Sequence, residues 1–568
     1  MDRHERRLLW VALAAGATCA GLACVPTMEW AAVFAHPARV ERLGGAIPEA
    51  TVRGATFFRI ALVAASVLIP TLVWRLQSFL ASQRTRTHPA RRITPRSRRG
   101  WIGLTGIIVL GAVLRIATAE QSLWYDEISA FLSFAIEGPG VAFGSYTVPT
   151  NHVPMTLAVW FAWALTGSTH ELVLRAPAII AGIGALPIAY ALGATIFGTR
   201  AGYIAAYVLA LAPIPIVESA EARGYAFVIF ASLVAALGIA RAERTRAPLD
   251  FLLFALAAAF AAWSHPVAIL VALAAGLVGL VRDRALAIAA LLAGVLAAVL
   301  LSPLAGDVIA TRADYVHRVT EQPTVFSREG YESIVGLTLG WSSRVFILPP
   351  AVPLLLFIAG LFMLFRIDNA RTRSARRVLL PFGLALALAW MLSIALGTWM
   401  YARFVLFTVP IGVVLMTLAL ERWRYSLAIW MPFILYGSAW SSAARDYSVK
   451  QPIRDAVEYV ARERGPNERV ATIGLPDNAV GFYAQRYGFE ATQTGFLGKD
   501  LDEVVARTQP TFIVALYPDR IDAAVRARLE SGFEQSARLE GWADWGHGAV
   551  EVWRARPSTA QPPVDRAR

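Results

Sequence analysis

Lysine is almost missing from this 568-residue chain, standing only at Lys450 and Lys499. Charge of any kind is scarce: 16% of residues are charged, where a soluble globular chain has about 25%. That shortfall excludes an ordinary soluble domain. Cysteine occurs only as Cys19 and Cys24, both inside the first apolar run. Their separation misses the i,i+4 spacing of one helical face, so nothing points to a disulfide framework or a thiolate metal site, and the compartment is left open. No internal repeat of fixed period is present. What the chain does have is apolar length. Hydrophobic residues make up 57% of it and the mean hydropathy is +0.52. Many apolar runs reach the roughly 17–25 residues that cross a bilayer. The fold class this implies is an α-helical polytopic membrane protein.

The formal charge of +13 is carried almost wholly by arginine. An arginine excess can signal nucleic acid. Here the arginines gather in short stretches between apolar spans, as the positive-inside rule predicts, so nucleic acid is not an expected partner. Spans are expected near 8–25, 55–76, 101–117, 172–196, 203–217, 224–240, 249–263, 267–281, 286–304, 346–365, 378–397, 404–420 and 427–443, about thirteen crossings in all. Residues 1–25 have the basic start and apolar core of a signal peptide but no clear Ala-x-Ala site, which favours an uncleaved first helix. With the N-terminus inside, every inner turn carries arginine, from the acid-free segment 75–99 to Arg422 and Arg424. The agreement requires that 152–167 not cross. This short apolar run, with Trp160 and Trp163, is laid along the outer interface. Residues 118–171 then form one outer loop.

The domain organisation follows. Residues 1–77 supply two N-terminal helices and 78–100 a basic inner linker whose arginines suit anionic membrane lipids. Residues 101–444 form the main membrane domain. After Ala444 charged residues return, and helix-like stretches (452–464, 501–507, 521–529) alternate with β-like runs (470–473, 511–516, 549–553). This predicts a small α/β domain over 445–556, placed outside by the count of crossings. The tail 557–568 is Pro- and Arg-rich and expected to be disordered.

The motifs that carry chemistry sit at outer ends of spans. Asp126 and Glu127 form an acidic pair just past a span that ends with Arg115 nearby. Such a pair can take a proton from an acceptor hydroxyl, or hold a divalent cation against a donor phosphate. It can also simply cap a helix at 127–136. His152, in Asn151-His152-Val153-Pro154, is a candidate metal ligand or a hydrogen-bond donor to phosphate, or else a surface residue before a Pro-started helix. Glu218-Ser219-Ala220-Glu221-Ala222-Arg223-Gly224-Tyr225 puts several charges in a short turn. There Arg223 suits a bidentate grip on phosphate, and Glu221 could orient it or touch sugar hydroxyls. His265 in Ser264-His265-Pro266, Tyr401 and Arg403 complete the candidate substrate-binding set. Arg175 opens a span and serves as its anchor.

Taken together, these motifs resemble the GT-C superfamily of lipid-phosphosugar-dependent glycosyltransferases, above all the dolichyl-phosphate-mannose protein mannosyltransferases and the bacterial aminoarabinose transferases. The resemblance rests on Leu123-Trp124-Tyr125-Asp126-Glu127, then His152-Val153-Pro154, then Arg175-Ala176-Pro177, then Ser219-Ala220-Glu221-Ala222-Arg223-Gly224-Tyr225. It covers roughly 101–444. It departs at Met155, where the family pattern has a second proline, and in the two helices before residue 101. What the resemblance implies is an inverting membrane glycosyltransferase with a polyprenyl-phosphate-linked sugar as donor and an extracytoplasmic glycan, lipid or protein as acceptor. Asp126 would be the base or part of a metal site with Glu127 and His152, and a divalent metal ion is the only cofactor considered. The expected location is the bacterial inner membrane, with the active site and the C-terminal domain outside. Two rivals share the architecture. A lipid-linked oligosaccharide polymerase or ligase would rely on loop 305–345, with Arg312, His317, Arg318 and Arg328. A lipid-sugar transporter would place its charges near the midplane.

Overall fold

The computed structural model describes residues 3–83, 97–311, 351–396, 402–421, 449–475, 478–543 and 547–556. Most of the linker, Arg312 to Arg328 in the second outer loop, Tyr401, the span expected at 427–443 and the tail lie outside the described residues. Contacts divide the chain into two compact units, one of 1–119 and 134–442, the other of 120–133 and 443–568.

The first unit is helical and built to span a membrane. Its helices are α1 (Arg3–Ala23), α2 (Thr27–Phe34), α3 (Pro37–Arg42), α4 (Glu49–Ala81) and α5 (Arg98–Thr118). A short α6 (Tyr125–Ala130) belongs to the second unit. The helical unit resumes with α7 (Pro139–Gly144), α8 (Val153–Thr166), α9 (Glu171–Ile196), α10 (Thr199–Leu211), α11 (Pro213–Ser219), α12 (Tyr225–Thr245) and α13 (Pro248–Ser264). It ends with α14 (Ile269–Arg282), α15 (Arg284–Leu301), α16 (Ala351–Arg366), α17 (Ala370–Leu396) and α18 (Val409–Leu420). Every expected span that falls on described residues coincides with a helix. Among the described residues, seven helices are long and apolar enough to cross alone, and two bent pairs extend that set to nine. Helix α12 lies at the centre, with 78% of its apolar window buried, whereas α5 is peripheral at 17%. The outward faces of α4 and α14 present Val63, Val67, Leu280 and Val281, an apolar surface that water would not tolerate and acyl chains do. Helix α8, at 14 residues, is about 21 Å long and too short to cross a roughly 30 Å core.

One expected span is broken. The run 203–217 folds as α10 and α11, bent by 62°. Pro213 has no N–H to give the carbonyl of Leu209, four residues back, and Pro215 repeats the defect at Leu211. The freed Leu209 carbonyl instead accepts from Arg115 Nη2 at 3.4 Å. Arg115 also donates to Gly111 O at 3.0 Å and is fully buried, so it ties helices together rather than marking the water edge.

The N-terminal addition is packed into this unit. A cluster of Trp30, Phe34 and Phe58 meets Phe143 of α7. A Cβ on Gly144 would sit 2.2 Å from the Phe34 ring, so only glycine allows that approach. Arg39 pairs with buried Asp307 at 2.8 Å, and the same carboxylate accepts from the Tyr146 amide at 2.8 Å.

The second unit is the expected α/β domain. Its helices are α19 (Ile453–Glu463), α20 (Ala479–Ala484), α21 (Leu501–Thr508) and α22 (Ala523–Gly532). Its strands are β1 (Val470–Gly474), β2 (Ala491–Phe496), β3 (Phe512–Leu516), β4 (Phe533–Leu539) and β5 (Val550–Ala555). The sheet order is β2-β1-β3-β5-β4. β1 pairs in parallel with β2 and β3, while β5 runs antiparallel to β3 and β4. Central β1 and β3 are buried along their whole length, as strands covered on both faces must be. The edge strands β2 and β4 carry polar residues such as Thr492, Gln493, Glu534 and Arg538, and for that reason they did not stand out in the sequence.

Arg39→Met would leave the Asp307 carboxylate buried with one partner fewer. It is expected to destabilise the helical unit by about 2 kcal/mol. Adding Asp307→Asn should restore part of that loss, read from thermal unfolding in detergent.

Candidate functional site

In the helical unit the chain brings together His152, Arg223, Tyr225, His265 and Arg403, residues from four separate stretches. Each is placed by a helix end. His152 precedes Val153-Pro154 at the start of α8, where proline suits the first turn. Arg223 lies in the turn between α11 and α12, and Tyr225 opens α12. His265 ends α13, which Pro266 prevents from continuing. Arg403 and Phe404 lie in a 3-10 segment, Ala402–Thr408, before α18.

The aromatic rings form a cluster. The His152 and Tyr225 centroids are 4.9 Å apart, His152 and His265 5.6 Å, and His265 and Phe404 4.7 Å. The Arg223 guanidinium lies 5.7 Å from the centre of the Tyr225 ring and donates to Thr150 O at 3.0 Å. His152 Nδ1 is 2.8 Å from the carbonyl of Ser264. A Cβ on Gly224 would stand 2.7 Å from that same carbonyl and 2.8 Å from the His152 ring, so the contact needs a glycine there. Arg223 is 3% exposed and Glu221 4%. Upstream, Asn151 donates to Ala142 O and Ser145 O at 2.9 and 2.8 Å and accepts from Thr156 at 2.8 Å, which fixes the backbone entering His152.

Burial, together with the charges of Arg223 and Arg403, holds both imidazoles neutral. His152 is pushed well below its ordinary value and His265 to about 3. A carbonyl only accepts, so neutral His152 carries its proton on Nδ1, and Nε2 is left as a lone-pair acceptor. Among the described residues neither His152 Nε2 nor His265 Nδ1 has a hydrogen-bond partner. In this neutral form His152 Nε2 can accept from a hydroxyl or ligate a cation. Positive charge in the cluster comes from the two arginines. Arg175, also buried, donates to Ala119 O at 2.9 Å and serves as the anchor expected of it.

The acidic pair is held by the second unit. Trp124 precedes α6, and Asp126 and Glu127 lie in its first turn. Glu127 is 2% exposed and its Oε2 accepts from the Trp124 amide at 3.1 Å, so the cap is made by Glu127 and not by Asp126, and the helix opens at Tyr125 rather than at 127. Asp126 is only half-buried. The C-terminal part of this unit grips the segment on three sides. The Leu123 amide donates to the Tyr483 hydroxyl at 2.7 Å, and the Tyr125 amide to Gln451 Oε1 at 2.9 Å. The Lys450 ammonium lies 3.7 Å from the centre of the Trp124 ring. Sequence reasoning missed Gln451, Tyr483 and Lys450. Only Lys450 carried a signal, being one of two lysines in the chain. Among the described residues no group of three or more His, Cys, Asp or Glu side chains is gathered to hold a metal ion. Tyr401 lies outside the described residues.

A broken-helix membrane pack carrying a small sheet defines a GT-C-like fold. The crystal structure of ArnT from Cupriavidus metallidurans in the apo state shares it at TM-score 0.54 and 13% identity, covering 82% of this chain and 99% of that one. ArnT bound to undecaprenyl phosphate matches at 12% identity over 82% and 100% of the two chains, with TM-score 0.49. The archaeal oligosaccharyltransferase AglB from Archaeoglobus fulgidus, in complex with an inhibitory peptide and a dolichol-phosphate, matches at 13% identity over 74% and 70%, with TM-score 0.44. No protein-family model and no curated protein matches the chain. At such identities the likeness establishes the fold alone.

Two predictions follow from the geometry. Tyr483→Phe strands the buried amide of Leu123, and a loss of about 1.4 kcal/mol there corresponds to roughly tenfold faster exchange. Hydrogen-exchange mass spectrometry of peptides spanning 122–127 reads it. The second concerns acid. The folded histidines titrate below the ordinary value of 6.5, so the unfolded chain takes up their protons first as pH falls. Stability is therefore full above about pH 6.5 and declines below it, by up to about 1.4 kcal/mol per pH unit for each ring. Unfolding curves between pH 7 and pH 4.5 should show this decline, and His152→Gln with His265→Gln should flatten it.

Proposed function

We propose that this chain is a membrane glycosyltransferase that moves a sugar from a polyprenyl-phosphate donor to an extracytoplasmic acceptor, with inversion. The observation that carries the proposal is the buried cluster in which the Arg223 guanidinium lies over the Tyr225 ring, Tyr225 meets His152 and His265, and His265 meets Phe404, the neighbour of Arg403. Glu218, near the end of α11, and Glu221, in the same turn as Arg223, offset part of the arginine charge. A lipid phosphate is the anion that would complete the set, gripped by arginine forks. His152 Nε2 would accept from a sugar hydroxyl. The ArnT-like fold supports the donor class by analogy, and ArnT itself has been crystallised with undecaprenyl phosphate.

In the proposed reaction Asp126 takes the proton of the acceptor hydroxyl while that oxygen bonds to the anomeric carbon. The bond from that carbon to the phosphate oxygen breaks, and polyprenyl phosphate leaves with both electrons of the bond. Attack opposite the leaving group inverts the centre. Glu127 shapes the first turn of α6 through its bond to the Trp124 amide, and so positions Asp126. If a divalent cation takes part, the carboxylate oxygens of Asp126 and Glu127 are the right hard donors for it, and it would neutralise charge on the donor phosphate. The outer location of the active site and of the C-terminal domain, and that domain's selection of the acceptor, belong to the same proposal.

The test uses full-length protein in lipid nanodiscs with a radiolabelled polyprenyl-phosphate sugar. Asp126→Asn is expected to lower transfer by about 10²–10⁴-fold with unchanged thermal unfolding, the range for loss of a general base. Full activity in Asp126→Asn, or no release of polyprenyl phosphate by the unmodified protein, would end the proposal.

A further inference from the structure

At the far end of α12 from Tyr225, about 30 Å away along the helix, lies a second place where arginines gather. The ends of α4, α12, α14, α15 and α17 enclose a cavity of about 1200 Å³. We propose that this cavity binds the phosphate headgroup of an anionic glycerophospholipid from the surrounding bilayer.

Four guanidiniums line it, those of Arg246, Arg282, Arg284 and Arg377, against the carboxylates of Glu243 and Asp283. The carboxylates are already used. Arg246 grips both oxygens of Asp283, one of them at 3.0 Å, and reaches Gln83 at 3.2 Å. Glu243 accepts from Ser374 and Arg377. Arg282 and Arg284 have no hydrogen-bond or ion-pair partner among the described residues. The lining therefore carries two net positive charges, held on two adjacent helix ends around the Asp283 turn. The rest of the wall is apolar: Phe79, Ile239, Val278, Leu286 and Leu380. Next to Arg282, Leu280 and Val281 are 72% and 85% exposed, facing where acyl chains lie. A charged mouth over apolar walls between spanning helices is how membrane proteins hold anionic headgroups.

The size and the charge choose among occupants. The volume exceeds the 300–1,000 Å³ of ordinary small-molecule pockets, enough for a headgroup and the first carbons of two acyl chains. A single isoprenoid phosphate would leave much of it to be filled. The sequence 84–96, which holds five arginines and no acid, has the same sign of charge as the cavity and is no complement to it.

The experiment takes delipidated full-length protein in mild detergent. It reads by native mass spectrometry the retention of dioleoyl phosphatidylglycerol, dioleoyl phosphatidylcholine and undecaprenyl phosphate, with millimolar inorganic phosphate as competitor. Phosphatidylglycerol should be retained at least about fivefold better than either other lipid and survive inorganic phosphate. Arg282→Gln with Arg284→Gln breaks no bond within the protein. It should lower that retention about tenfold while thermal unfolding without lipid stays unchanged. Should the double variant fail to fold, Arg284→Gln alone should lower it about threefold. Equal retention of the two glycerophospholipids, unaltered retention in the variant, displacement by inorganic phosphate, or preference for undecaprenyl phosphate would each overturn the assignment. Sugar transfer is not the readout, so this result and the fate of the proposed reaction are separable.

Discussion

The hydrogen bond from His152 to the carbonyl of Ser264 holds the candidate site together. Ser264 ends α13, and Pro266 stops the helix there, so its carbonyl is one of the orphan acceptors that every helix end leaves. His152, the residue before α8, supplies the missing donor. Gly224 fits between them because it has no Cβ to collide with either. The starts of α8 and α12 and the end of α13 are thus pinned at one point. The bond makes demands on protonation as well. Nδ1 must carry a proton, and the ring must stay neutral if two guanidiniums are to remain beside it. Burial enforces that neutrality first, and the charges of Arg223 and Arg403 add to it. The arginines and histidines are one electrostatic arrangement: burial and the cations keep the ring neutral, the Ser264 carbonyl fixes the tautomer, and the tautomer leaves an acceptor at Nε2.

The acidic pair follows a different logic. Asp126 and Glu127 are close in sequence to α5, yet their segment folds with the C-terminal part of the chain. Its backbone amides at Leu123 and Tyr125 are satisfied by side chains more than three hundred residues away. A loop that must leave backbone groups in a buried setting needs such partners. Tyr483 and Gln451 supply them, and Lys450 covers Trp124. The C-terminal part of the chain therefore has a physical task irrespective of what it recognises: Tyr483 and Gln451 satisfy backbone amides at the entry to α6.

Much of this was legible beforehand, for identifiable reasons. Spanning helices announce themselves by length and apolarity, and arginines mark their ends. Central strand β3 is an unbroken apolar run, and β1 is interrupted only by Thr472. The turn from Glu218 to Tyr225 stood out because charges between apolar spans are unusual. What escaped were features set by distant partners. Arg115 looks like a residue at a membrane edge, and only the carbonyl freed by Pro213 shows why it is buried. Edge strands β2 and β4 have no apolar periodicity to betray them. Gln451 and Tyr483 sit in ordinary surroundings, and their role arises only when residues 120–133 fold against them. The direction of His152's hydrogen bond was likewise invisible, since no local pattern specifies Ser264 as its acceptor.

The two additional N-terminal helices bear on the site through Asp307. That carboxylate is buried, and a buried carboxylate without partners would be protonated or would pull the structure open. Arg39 supplies the compensating charge from the N-terminal addition, while the amide of Tyr146 supplies a hydrogen bond from the loop that leads to His152. Ser145, beside it, gives its carbonyl to Asn151, and Asn151 in turn holds Thr156 on α8. The links are short and directional, and every residue in them but Arg39 and Tyr146 is buried. Displacing α3 would expose a charge next to the loop, and the loop cannot move without disturbing the residue before His152. The addition is therefore bound into the packing that sets the site's geometry, although none of its residues stands among the arginines and histidines themselves.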